Sequence, residues 1–353
     1  MKKQFYLFSF LCLSLSIGYS QNIKNISSIN NQLQEDVQNL IIIGETHTSA
    51  ASSLIVNAFL KHLNDEGKNF QFLVEAGPST AYLLNKYLAT GNEELIITPQ
   101  MFYGGNFNEW RNFWLKMYLS NKNLPKGEQL KVIGFDFERV GTFAKAIDKL
   151  SENYNQFPSS IDSLNKLMHT EGFLKNINNG FPTKADQVFM KDTKALLKKN
   201  LPELEITLND DDLIFIKATI NNHVVKFAGD RENQLYANVK RELSENKNSI
   251  MLTGAGHANY SYKTLAYMLK SKTDFNIINF LILYHHSKIW IKNNYKKQKN
   301  IDNLENKPWK TYKKELAVGP EENFTVISLA QIGDLKRQAD FVIVAQDQEA
   351  LTY

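Results

Sequence analysis

The chain has 353 residues, 43% of them hydrophobic and 22% charged. That is the balance of an ordinary globular protein with one large core or two modest ones, and it excludes a disordered chain. Lys and Arg exceed Asp and Glu by 41 to 37, and Lys2 and Lys3 supply half of the excess, so nothing in the charge balance points to nucleic acid or an anionic membrane as partner.

In chain order, the first readable segment is the N-terminus. Met1-Lys2-Lys3 is a short basic start, Phe5 to Ile17 is apolar apart from scattered serines, and Gly18-Tyr19-Ser20 places small residues at −3 and −1 ahead of Gln21. This is the pattern of a secretory signal peptide over residues 1–20. The run is too short for a membrane anchor, which needs ~20 apolar residues. An exported protein is expected, periplasmic or secreted, with no stable membrane insertion after signal cleavage. Cys12, the only cysteine, falls inside the signal, so the mature chain would have no thiol, disulfide or Cys-ligated metal.

Seven short apolar runs come next: Leu40-Ile43, Phe70-Val74, Leu130-Phe135, Ile250-Thr253, Ile277-Tyr284, Phe324-Leu329 and Phe341-Ala345. Continuous runs of this length fit strands buried on both faces, as in a parallel sheet. Ala51-Asn64, Ser79-Ala89 and Phe143-Leu150 have helical apolar spacing between them. The alternation predicts an α/β fold, with a mainly parallel central sheet flanked by helices. Residues 151–222 break the rhythm with Pro158, Pro182, Pro202 and helix-like stretches such as Ala185-Lys199. They read as a helical insertion or lid between two parts of one core, 21–150 and 223–353. Lys292-Lys314 is polar and reads as a solvated loop.

The residues at the strand ends carry the chemistry. The first strand runs into Gly44-Glu45-Thr46-His47, the second ends at Glu75, the third at Asp136 with Glu138 and Arg139 next, and the fourth runs into Gly254-Ala255-Gly256-His257. Ligands of open α/β sheets bind at the carboxyl ends of the strands. A single carboxylate there serves equally well as a helix cap, but acids and histidines at four strand ends form a set. Two imidazoles and two carboxylates can activate water, or hold a divalent cation with an open position. His47 is the candidate general base, oriented by Glu45, and Glu75 could share that duty. Arg231 suits an oxyanion or a substrate carboxylate, the alternative being a surface salt bridge with Glu232 or Asp230. His257 completes the set, and His47, Glu75 and His257 together could ligate a metal. His285 and His286 are left out, because neighbouring side chains on a strand point to opposite faces. The absence of a Gly-x-Ser-x-Gly elbow argues against a serine nucleophile.

The paired Gly-x-x-His motifs, the strand-ending Glu75 and the helical Arg231-Glu232-Asn233-Gln234-Leu235-Tyr236-Ala237-Asn238 resemble the Tiki/TraB/erythromycin esterase superfamily, which includes haem-binding ChaN-like proteins. Erythromycin esterases have Arg-Asp-x-x-Met-x-x-Asn in that helix, so Glu232 and Leu235 depart conservatively. The run Glu109-Trp110-Arg111-Asn112-Phe113-Trp114 and the Gly134-Phe135-Asp136 strand end look like the esterase branch. The resemblance covers about Asn39 to Asp136 and Gly229 to Tyr284. It implies Glu45, His47, Glu75, Arg231 and His257 as site residues. The branches imply different chemistries: metal-dependent peptide cleavage, metal-independent lactone hydrolysis, or haem binding. The reading is therefore an exported hydrolase of an ester, lactone or amide in a small-molecule or peptide substrate. The alternative is a haem-binding protein without hydrolytic activity, for which Tyr103 or Tyr260 would be ligands.

Overall fold

A computed structural model describes residues 23 to 352, apart from 98–100, 102, 155–157, 172, 174–182, 224–229, 244–247, 291–296 and 320–321. The expected signal peptide lies outside the described residues. Each apolar run forms a strand: β1 (Asn39–Glu45), β2 (Gln71–Val74), β3 (Val132–Gly134), β4 (Ser249–Gly254), β5 (Asn276–His285), β8 (Phe324–Ser328) and β9 (Phe341–Gln346). They make one seven-stranded sheet in the order β3-β2-β4-β1-β5-β9-β8, parallel in every pairing except β8 with β9.

The runs are apolar throughout because each strand feeds two cores. Ile41, Ile43, Phe72, Val74, Ile250 and Leu252 face one hydrophobic cluster. Leu40, Ile42, Leu73 and Met251, one residue out of phase, face the other, as the two-residue strand period requires. Helices α1 (Ala51–Asp65), α2 (Pro78–Thr90), α3 (Asn108–Asn121) and α4 (Val140–Ser151) cover the first face with Phe59, Leu83, Trp114 and Phe143.

The described part of the span 151–222 is mainly helical: α5 (Ser159–Met168), α6 (Lys184–Lys199), α7 (Leu201–Thr207) and α8 (Asp210–Asn221). These helices add Ile161, Leu197, Leu204 and Ile216 to the first cluster. Phe215 of α8 stacks on Tyr82 of α2 at 4.4 Å between centroids. Buried Asp212 accepts from Tyr82 Oη at 2.7 Å and Tyr154 Oη at 2.8 Å.

The second face is covered by α9 (Arg231–Leu243) and α11 (Leu265–Lys272), with the short α10 (Ala255–Ala258) following β4. Leu235, Val239, Leu265 and Leu269 supply the contacts. The polar stretch 292–314 differs from the expected loop. It contains β7 (Gln298–Ile301), paired antiparallel with β6 (Ser287–Trp290). It also sends Leu304 and Trp309 into the second cluster. Two apolar anchors in a Lys-rich segment are enough to tie it down, and a charge average hides them. Among the described residues no helix is long and apolar enough to cross a membrane.

Candidate active site

The sheet order brings β3, β2, β4 and β1 side by side, so their carboxyl ends deliver Asp136, Glu75, His257 and Glu45-Thr46-His47 to one place. Close approach requires one glycine, Gly44, and favours another, Gly254. A Cβ at Gly44 would lie 2.5 Å from the Ala258 Cβ and 2.6 Å from Leu281 Cδ2, so α10 could not lie against β1. A Cβ at Gly254 would come within 3.2 Å of His47 Nε2 and 3.6 Å of Glu75 Oε2.

All five residues singled out by sequence converge. Glu45 is buried, and its Oε1 meets His47 Nδ1 at 2.8 Å, which fixes the ring and aims Nε2 at Glu75 Oε2, 3.9 Å away. Glu75 Oε2 accepts from Thr253 Oγ1 at 2.7 Å and the Gly254 amide at 2.6 Å, while Oε1 accepts from Arg231 Nη2 at 2.8 Å. Arg231 is 7% exposed and is no surface ion pair. It forks onto Asp136 through Nε at 3.2 Å and Nη2 at 2.7 Å, the bidentate geometry a guanidinium favours. Its Nη1 lies 2.9 Å from His257 Nε2. The other ring nitrogen of His257 pairs with Glu232 Oε1, and Glu232 Oε2 caps the start of α11 through the Leu265 amide at 2.7 Å.

Two carboxylates thus meet one permanent cation, two more each hold a histidine, and the histidines respond. Burial works against a charged His47, but the Glu45 hydrogen bond and the charges of Glu75 and Glu45 outweigh it and hold the imidazole at about 9. Its side chain keeps 40% of its surface accessible, so solvent screens part of that effect. His257 is also opposed by burial and pulled up to about 10 by Glu232 and Glu75. The guanidinium beside its Nε2 acts the other way, since that contact needs the nitrogen lone pair and assigns the proton to Nδ1. Burial disfavours charge on Glu75, yet His257, His47 and Arg231 hold it well below the usual carboxylate range. Asp136 is pushed up by burial, which Arg231 offsets only in part.

Four further residues belong to the cluster. Asp136 is visible as a strand-end acid, but a cap would look the same in sequence. Glu232 reads there as a conservative departure from aspartate or a surface partner for Arg231, and Thr253 as part of an apolar strand. Tyr103 sits in a stretch without periodicity. Its hydroxyl donates to Glu45 Oε1 at 3.0 Å, and Trp114 Nε1 donates to its carbonyl at 2.5 Å. The tryptophan-rich run therefore supports the residue that holds Glu45. Tyr103 is buried against Glu45, and Tyr260 donates to Asp340 Oδ2 at 2.5 Å, so the hydroxyls of both tyrosines considered for haem are engaged by carboxylates. A metal on His47, Glu75 and His257 does not fit this arrangement. The Arg231 guanidinium already lies against Glu75 Oε1 and His257 Nε2, placing a fixed positive charge where a shared cation would sit.

No family model matches the chain, and no curated protein does. Solved structures do match along nearly its whole length. A Bacillus cereus protein is 14% identical with a TM-score of 0.65, covering 93% of this chain and 92% of that one. A succinoglycan biosynthesis protein is 13% identical with a TM-score of 0.65, covering 94% and 93%. A mutant of the erythromycin esterase EreC, in its open conformation, is 13% identical with a TM-score of 0.58, covering 91% and 93%. The chain therefore has the erythromycin esterase fold, as the motif resemblance implied. At these identities the likeness is one of fold.

Proposed function

We propose that this protein is an exported hydrolase that cleaves an ester or lactone with water activated by His47, without a metal at that centre. The observation that carries the reading is the Glu45–His47 hydrogen bond, which aims His47 Nε2 at Glu75 beside Arg231 and His257. A water bridging His47 Nε2 and Glu75 Oε2 attacks the carbonyl carbon. Its proton passes to Nε2, and the oxyanion is met by the permanent positive charge of Arg231. The tetrahedral intermediate collapses, the bond to the leaving oxygen breaks, and that alkoxide takes the proton back from His47. The products are a carboxylic acid and an alcohol, or one hydroxy acid from a lactone. Glu75, with its depressed pKa and three donors, orients the water and remains ionised. Export rests on the basic start, apolar run and small-residue cleavage pattern of residues 1–20.

The test is a panel of esters, lactones and peptides given to protein beginning at Gln21, with and without exhaustive chelation, alongside a hemin titration. Hydrolysis of an ester or lactone that survives chelation is expected. Turnover that disappears with the metal would remove the proposed route. No turnover on any substrate, together with a shifted Soret band, would replace it by haem binding.

A further inference from the structure

A second cluster lies at the same edge of the sheet, past the end of β5. His285 ends that strand and His286 follows it. An unbroken strand would turn the two rings to opposite faces, but His286 has φ 48°, in the left-handed region. The alternation breaks there, and the imidazoles pack together at 3.8 Å between centroids, tilted by 36°. Such a conformation is strained for a residue with a Cβ. Asp302 reaches the pair from the end of β7. Its Oδ1 accepts from the Leu304 amide at 3.0 Å, while Oδ2 lies 2.9 Å from His285 Nδ1 and 3.4 Å from His286 Nδ1. One ligand atom from each of the three lies within 4.8 Å of the others.

We propose that His285, His286 and Asp302 form a binding site for one divalent transition-metal ion of the zinc type, separate from the hydrolytic centre. Zinc bonds of ~2.0–2.1 Å in tetrahedral geometry put neighbouring donors roughly 3.3–3.5 Å apart. The Asp302–His286 separation of 3.4 Å already lies in that range, the Asp302–His285 separation of 2.9 Å needs to lengthen by roughly 0.5 Å, and all three donors lie within 4.8 Å of one another. Two imidazoles and a carboxylate suit zinc, nickel or copper, not calcium or magnesium. Three protein ligands leave a fourth position open. His286 is 64% exposed, so an ion can enter. The ion would clamp the base of the β6–β7 hairpin, whose paired ends are Ser287 and Ile301, to the end of β5.

The test uses untagged protein beginning at Gln21, titrated with Co²⁺ for its visible absorption and with Zn²⁺ against a competing chelator. One equivalent with micromolar or tighter affinity is expected. Zn²⁺ at ~100 times its Kd should raise the melting midpoint by roughly 4 °C for a chain of this size. His286→Gly removes a ligand and suits the left-handed backbone, so it should fold and bind at least ~100-fold more weakly. Asp302→Asn should do the same, while His257→Ala should leave the affinity unchanged. Failure to bind one equivalent below ~1 mM, wild-type affinity in His286→Gly, or loss of binding in His257→Ala would each overturn the assignment.

Discussion

Removing the Arg231 guanidinium is the most exacting perturbation of the site. Arg231→Met keeps the length of the stem and deletes the cation. In the folded protein Glu75 and Asp136 each expose only 5% of their side chains, and Arg231 exposes 9%. The variant therefore strands buried Asp136, which loses its bidentate partner, and removes from buried Glu75 the one permanent charge among its partners. Breaking a buried ion pair from one side costs about 3–5 kcal/mol, because the desolvated partner stays behind. For a chain of this size that corresponds to a fall of roughly 4–7 °C in melting midpoint. The assay is urea unfolding monitored by circular dichroism and by the fluorescence of buried Trp110 and Trp114. Asp136→Asn added to Arg231→Met should recover ~1–2 kcal/mol, since it neutralises one stranded carboxylate. A loss below ~1 kcal/mol in the single variant, or a double variant no better than the single, would show that the two carboxylates do not depend on this cation.

Three other expectations can be checked independently. Glu138 is fully buried, bonded to the Ser79 amide at 2.9 Å and to its hydroxyl, and burial lifts its carboxyl to about 7. Its contribution to stability is present below the unfolded carboxylate value and lost as pH rises through 7, so Glu138→Gln should flatten the pH dependence of unfolding between about 5 and 7. His47 is raised to about 9 and must be neutral to act as base, so kcat/KM for an ester should climb with pH and level off near 9; a profile flat from pH 6 upward would contradict it. Asp212→Ala removes the acceptor joining Tyr82 of α2 to Tyr154 and α8, and hydrogen exchange should quicken in α5–α8 while the central strands keep their protection.

The strands were legible because a strand buried on both faces must be apolar throughout; the short run Leu213-Ile216 shares that pattern but lies in a helix, Asp210–Asn221. The site residues were legible for a related reason. A parallel sheet gathers its strand ends at one edge, so Glu45, Glu75 and His257 could be grouped without knowing the strand order. That order itself was not legible. Only the insertion of β4 between β2 and β1 places Arg231 against both Asp136 and Glu75, and no local pattern encodes it. The β6–β7 hairpin was hidden because its exposed strand looks like a solvated loop. The pairing of His285 with His286 was excluded by a rule of strand geometry that one left-handed residue overrides.

The proposed mechanism turns on His47, held by Glu45, removing the proton from the attacking water. Its most direct measurement is kcat/KM of His47→Ala against wild type, on any ester or lactone the wild type turns over, with matched unfolding curves to show that the variant is folded. The expected fall is at least ~100-fold, the lower end for loss of a positioned base. A folded His47→Ala protein that retains the wild-type rate would contradict the mechanism.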